Sequence, residues 1–297
     1  MTDVFRTPDE RFEGLPDFDF EPQYREVGGL RLAHLDEGDG PPVVFWHGEP
    51  TWSFLWRTVF PAVRDAGYRC IVPDLAGFGR SDKPIDDAWY SYDRHTEVGA
   101  TLLEDLDLRE ATFVVHDWGG PIGLRLAVEH ADRVARMALM DTGVFTGRQP
   151  MSDAWHAFRE YVVRNPDLDV GFLVRRGCAS DPGDAVAAAY DAPFPTQEAK
   201  AGARTFPPMI PLTPEDPGAA AGQRTLAALV EDTRPMLMLW GQADAALPPA
   251  SGEGFAAYLG REAPRLIPDA GHFLQEDKGA EIGGLIADWL ESAPRPG

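Results

Sequence analysis

Lysine is nearly missing from this chain: Lys83, Lys200 and Lys278 are the only three in 297 residues. Arginine supplies the other cations, and 48 acidic against 27 basic residues leave a formal net charge of −21. A field of that sign repels nucleic acid and anionic membrane surfaces. It also disfavours an anionic substrate unless local arginines reverse it. The plainest reading of the charge is a solvated acidic surface with no bearing on the reaction. Cysteine is as scarce. Cys70 and Cys178 stand far apart, which excludes a disulfide framework and a cysteine metal cluster. No apolar run approaches the length of a membrane-spanning helix, and the opening MTDVFRTPDERF lacks the apolar stretch of a signal peptide. A reduced, cytoplasmic protein is therefore expected.

What is present is ordinary globular material, 44% hydrophobic and 25% charged, enough to build a large core without staples. Short β-rich runs alternate with longer helical patterns. Expected strands are Leu30–Leu35, Val43–Trp46, Arg69–Pro73, Thr112–His116, Met137–Asp141, Met236–Trp240 and Arg265–Pro268. The runs VVFW, CIVP, TFVVH, MALM and MLMLW are almost continuously apolar, as strands buried on both faces of a parallel sheet are. Helical stretches are expected at about 53–66, 94–107, 121–131, 250–259 and 280–291. This order predicts an α/β fold with a mostly parallel sheet flanked by helices. The alternation breaks between about 142 and 222. An amphipathic stretch there (Trp155, Phe158, Tyr161, Val162) is followed by DAPFP and FPPMIPLTPEDPG. Proline-rich segments read as connectors. We expect a helical cap at 142–222 inserted into a core formed by 1–141 and 223–297.

The segment TFVVHDWGGPIG runs from a strand through Asp117-Trp118-Gly119-Gly120 into a helix. Such a turn, with small residues near its apex, is a nucleophile elbow of the α/β-hydrolase type. The familiar version carries Ser; here it carries Asp. A carboxylate can attack carbon and leave an ester whose acyl half belongs to the enzyme. A helix-capping Asp after a strand is the ordinary alternative, and the partners of Asp117 weigh against it. HGEPTW follows the strand VVFW, where the fold draws one oxyanion-hole N–H. That assigns the donors to Glu49 and Trp118, with the Glu49 side chain free to seat a water or a neighbouring group. PDLAGFGRSDKP matches the next loop, with Gly77 and Gly79 permitting its turns. DAGHFLQED places His272 where this fold carries its base. The acid that orients it is Asp244, in WGQADAALP, or Asp141, at the end of MALMD. Asp244 is preferred because its loop has room to aim the carboxylate at His272.

Together these residues resemble the haloalkane dehalogenases over nearly the whole chain, from RTPDERF through HGEPTW, DLAGFGRSDKP, HDWGG, YDAPFP and AGARTFP to AGHFLQED. The resemblance implies Asp117 as nucleophile, His272 as base and Asp244 as acid. One branch of that family takes its acid where Asp244 stands, another where Asp141 stands. It also implies a halide site of two N–H groups. Trp118 supplies one. The second is an Asn in the HGxP loop in one branch, where this chain has Glu49, and a cap Trp in the other, which Trp155 matches. Indole N–H is a donor with an apolar body, suited to holding halide away from water. Phe206, Pro207 and Phe172 are expected to line the substrate pocket. The expected partners are a small apolar halogenated substrate and a halide ion. No cofactor, metal, nucleic acid or membrane is expected, and the sequence leaves the oligomeric state open.

Two rivals keep the fold. An epoxide hydrolase would use the same Asp–His–acid triad and replace the halide donors with cap tyrosines, for which Tyr161 and Tyr190 are candidates. A fluoroacetate-type enzyme would need Arg beside the nucleophile, where Trp118 stands. A non-catalytic binding protein of this fold would be expected to have lost a triad member, and none is missing here.

Overall fold

The computed structural model describes residues 2–293. Its strands, in chain order, are β1 (Val4–Phe5), β2 (Gln23–Val27), β3 (Leu30–Glu37), β4 (Pro42–Trp46), β5 (Arg69–Pro73), β6 (Lys83–Pro84), β7 (Ala111–His116), β8 (Val134–Met140), β9 (Met236–Gly241) and β10 (Arg265–Ile267). The helices are α1 (Phe60–Asp65), α2 (Tyr92–Asp105), α3 (Gly119–Glu129), α4 (Asp153–Arg164), α5 (Val170–Gly177), α6 (Asp184–Asp191), α7 (Ala201–Met209), α8 (Ala219–Val230), α9 (Pro249–Tyr258) and α10 (Leu274–Ser292).

An eight-stranded sheet of order β10-β9-β8-β7-β4-β5-β3-β2 forms the centre. From β5 to β10 every pairing is parallel, while β3 joins β5 and β2 in antiparallel register. Every residue of β7 and β8 is buried, which is why TFVVH and MALM read as almost continuously apolar. The chain moves outward from β4 to β5 on one side and from β7 to β10 on the other. The carboxyl ends of β4 and β7 therefore flank the point where strand order reverses, the place where open α/β sheets bind ligands.

The expected elements are found, with instructive departures. β2 escapes the reading because QYREV lies at the sheet edge, with no apolar alternation and a single buried residue. The helix expected at 53–66 is a 3-10 turn, Ser53–Trp56, followed by α1. Pro61 stands at the start of α1, where its missing N–H costs nothing; further inside a helix it would break the ladder. The connector expected at 206–218 begins too early. Phe206–Met209 belong to α7, with Pro207 and Pro208 inside its last turn. Proline fixes a helical φ, so it can close a helix; the absent donors then help stop it.

Helices α4 to α7 lie between β8 and α8, and α4 packs on α7 as α5 packs on α6. The chain is back on the sheet layers by Ala219, since α8 packs against α3. Among the described residues no helix is long and apolar enough to cross a membrane.

Candidate active site

Asp117 occupies the sharp turn between β7 and α3 with φ 47°, a left-handed conformation rare outside glycine. The two glycines that follow do not supply that conformation. They are already helical, and they are needed for close approach: a Cβ on Gly119 would lie 2.1 Å from the Trp46 carbonyl oxygen, and one on Gly120 would lie 1.7 Å from Thr142 Oγ1. Thr142 Oγ1 in turn donates to the Asp117 carbonyl at 2.5 Å, bracing the turn from β8. Sequence reading missed Thr142, because nothing local marks a threonine that acts across the sheet.

The carboxylate of Asp117 has two distinct faces. Oδ1 accepts the Glu49 backbone N–H at 2.7 Å, and the Trp118 N–H also bonds the carboxylate. Oδ2 faces His272, whose Nε2 is 3.5 Å away. Glu49 is brought there by the loop after β4, whose His47 ring bonds the Gly48 carbonyl through Nδ1 and accepts the Leu75 N–H through Nε2, 2.9 Å each. The two donors expected to form the oxyanion hole therefore both reach the Asp117 carboxylate.

His272 Nδ1 is 2.8 Å from Asp244 Oδ2. The other oxygen of Asp244 accepts the N–H groups of Ala246 and Leu247 at 2.8 and 3.0 Å, so its loop is wound around the carboxylate. Asp141 turns elsewhere, accepting the Gly241 N–H at 2.9 Å. Burial, and then the Asp244 charge, push Asp141 well above the usual carboxylate range. Of the two carboxyl groups considered, Asp244 is the one that bonds His272.

Burial opposes a charged His272, but Asp244 and Asp117 on either side outweigh it and raise the imidazole well above its ordinary value. Burial likewise opposes ionisation of Asp117. His272, His116 and the Trp118 N–H reverse that and hold it below the usual range. Glu49 has no such help. Burial, then the adjacent Asp117 charge, lift it well above the usual range, and its Oε1 has no hydrogen-bond partner.

Above the carboxylate lies a cavity of about 520 Å³ between the sheet edge and helices α4, α5 and α7. Asp117, Trp118, Glu49, Asp244 and His272 line its floor. Phe145, Met151, Trp155, Phe158, Leu173, Pro207 and Ile210 make most of the remaining wall apolar. Trp118 Nε1 is buried with no hydrogen-bond partner. Trp155 lines the same cavity and is 5% exposed. Phe172 lines it near the surface, 48% exposed. Phe206, expected in the pocket, is not part of its wall. It is fully buried behind Trp118, ring centroids 5.0 Å apart and edge-on, because α7 turns Phe206 inward and leaves Pro207 facing the cavity. Tyr161 lines the cavity; Tyr190 does not, and its hydroxyl bonds Glu276, itself paired with Arg57 at 2.6 Å. Among the described residues no cluster of His, Cys, Asp and Glu could hold a metal ion.

Comparison with known proteins gives the family of the whole chain. A family model of the α/β hydrolase fold matches residues 41–279. A haloalkane dehalogenase of Mycobacterium marinum is 42% identical over 295 residues, covering 97% of this chain and 99% of the relative. One from Psychrobacter cryohalolentis is 38% identical over 303 residues, covering 98% and 99%. Among solved structures, a tetrameric haloalkane dehalogenase of Paraglaciecola agarilytica superposes with a TM-score of 0.89 at 36% identity, covering 98% of this chain and 97% of the other. An Asp elbow, a His–Asp pair beside it, an apolar cavity above and near full-length relatives at about 40% identity all lead to one assignment: the chain belongs to the haloalkane dehalogenase family of α/β hydrolases.

Proposed function

We propose that this protein hydrolyses the carbon–halogen bond of small halogenated alkanes to an alcohol, a halide ion and a proton, with Asp117 as nucleophile, His272 as base and Asp244 as the orienting acid. The observation that carries the reading is the Asp117 carboxylate on the floor of an apolar cavity: the Glu49 N–H holds Oδ1, the Trp118 N–H also bonds the carboxylate, and Oδ2 faces His272.

In the first step Oδ2 attacks the halogen-bearing carbon from behind. The C–O bond forms as the carbon–halogen bond breaks, and the halogen leaves with the bonding pair. Trp118 Nε1, unpartnered and buried, offers the leaving halide a hydrogen bond. Trp155, on the cap side of the same cavity, is the second donor. In the second step His272 Nε2 takes a proton from water, which attacks the ester carbonyl carbon. The developing oxyanion is Oδ1, which already accepts the Glu49 N–H, and the Trp118 N–H is the second donor. Collapse breaks the bond to the alkoxide, which takes the proton held by His272 and leaves as the alcohol, while the carboxyl releases its own proton to solvent and returns as the carboxylate. The helices between β8 and α8, within the stretch 142–222, act as a cap that keeps this chemistry dry. The unpaired Cys70 and Cys178 support a reduced, cytoplasmic setting.

The epoxide hydrolase alternative needs two cap tyrosines at the cavity. Tyr190 is engaged by Glu276 away from it, which leaves Tyr161 alone. The deciding measurement is halide release from 1,2-dibromoethane and 1-bromobutane beside an Asp117→Ala control. Turnover abolished in the control, and a burst of about one halide per site without turnover in His272→Ala, are expected. No halide from either substrate, with styrene oxide opened instead, would sink the reading.

A further inference from the structure

The loop that carries His272 is held from outside the catalytic group. Its Gly271 N–H donates to Asp277 Oδ2 at 2.9 Å, and the same oxygen accepts the Ala179 N–H at 2.8 Å. Asp277 Oδ1 accepts both the N–H and the hydroxyl of Ser180, at 2.8 and 2.6 Å. One carboxylate on the first turn of α10 thus gathers four donors, one from the histidine loop and three from the segment just after α5. The His272 N–H meanwhile donates to the carbonyl of Gly177 at 2.8 Å, at the end of α5 where a helix has no internal partner for it. The two segments touch backbone to backbone, for a Cβ on Gly271 would lie 2.3 Å from the Gly177 carbonyl oxygen. On the far side His116 Nε2 bonds the His272 carbonyl at 2.8 Å.

We propose that Asp277 is a positioning residue that clamps the His272 loop to the end of α5, so that ester hydrolysis depends on it while attack by Asp117 does not. This rests on the roles given to Asp117 and His272 above. Asp277 is absent from the cavity wall, and the groups that brace Asp117, namely the Glu49 and Trp118 N–H groups and Thr142, lie outside the clamp. Charged acceptors make the stronger hydrogen bonds, and a base held on a rigid support keeps the geometry that proton transfer needs. Loosening the clamp therefore misplaces the base and leaves the nucleophile in place.

The kinetic signature is specific. When hydrolysis of the ester slows below its formation, kcat and KM fall together and kcat/KM stays constant. A general loss of structure would lower kcat/KM as well. Rapid mixing of Asp277→Ala with 1-bromobutane should give a halide burst of about one per site at the wild-type rate, then a steady phase about ten-fold or more slower. Asp277→Asn, which keeps one carbonyl acceptor, should recover part of the loss. Ser180→Ala, which removes only one of the four contacts, should show a smaller change of the same kind. Unchanged turnover in Asp277→Ala, or burst rate and turnover lost in parallel in a folded variant, would overturn the proposal. If Asp277→Ala does not fold, an unaltered steady phase in Ser180→Ala overturns it. A wild-type protein that releases no halide brings down the dehalogenase reading and this proposal with it.

Discussion

Two negative neighbours flank His272, and the proposed mechanism removes the charge of one of them. In the free enzyme Asp244 and Asp117 both favour the imidazolium, against the effect of burial. Once Asp117 is esterified its charge is gone, and the imidazole gives up its proton more readily at the stage where a base is required. The two steps should therefore respond to pH differently. Ester formation needs ionised Asp117, which its surroundings hold below the ordinary carboxylate range, so its rate should stay level well into acid. Ester hydrolysis needs neutral His272, so its rate should rise with pH by about ten-fold per unit up to a plateau. Single-turnover halide release and alcohol formation across pH separate the two. A hydrolysis rate independent of pH, or ester formation that titrates near neutrality, would contradict the assignment. The motifs HGEP, HDWGG and AGHF made Asp117, Glu49, Trp118 and His272 legible in the sequence. They could not choose between Asp244 and Asp141, because both loops open on one sheet edge and only the 2.8 Å contact to His272 separates them.

The elbow between β7 and α3 shows how a correct expectation can rest on the wrong cause. Small residues after Asp117 read as turn formers, yet the left-handed residue is Asp117 itself, and Gly119 and Gly120 exist to let α3 press against β4 and Thr142. Gly120→Ala should thus push Thr142 away from the Asp117 carbonyl and destabilise the protein by about 1–3 kcal/mol through overpacking, with activity falling as well. Urea unfolding beside steady-state halide release tests this; an unshifted midpoint would show that the Thr142 side chain can move aside freely. The prolines of α7 teach a related lesson. Proline marks the end of a helix but does not say whether it lies inside or outside that end, and here two lie inside. Edge strand β2 was invisible because hydrogen bonding to β3, not an apolar face, holds it in the sheet.

Stability of the molecule in acid depends on histidines that the reaction does not all use. His34, His95 and His116 are buried, and burial is the first cause that lowers them, to about 4, 3 and 4 respectively. His95 has no side-chain hydrogen bond and sits among Trp89, Tyr90 and Phe206. In the unfolded chain each would titrate near its ordinary value of about 6.5. Between that value and the folded one, the unfolded state binds more protons, so stability is complete above about pH 6.5 and is lost as pH falls. Each histidine contributes a loss of about 1.4 kcal/mol per pH unit in that window, against a total stability of about 5–15 kcal/mol for a typical domain. His272, raised in the folded state, adds a loss of stability as pH climbs above about 6.5, so the buried rings are read below that value, where Tm should drop clearly from pH 6.5 to pH 5. A Tm equal at pH 6.5 and 5 would show that these rings reach solvent or partners when protonated.

Periodicity and loop motifs, local properties of the chain, were enough to reveal the parallel sheet, the break in the strand–helix alternation and the candidate residues Asp117 and His272. Burial on both faces leaves an apolar run, and an elbow leaves a short motif, wherever each occurs along the chain. Side-chain direction across elements is a different matter. Phe206 behind Trp118, Tyr190 turned to Glu276, Asp244 rather than Asp141 at His272, and Asp277 between α10 and α5 all depend on how distant segments pack. Nothing within a few residues of each position carries that information, because the contacts join residues 28 to 98 positions apart, or helices and loops on opposite sides of the cavity.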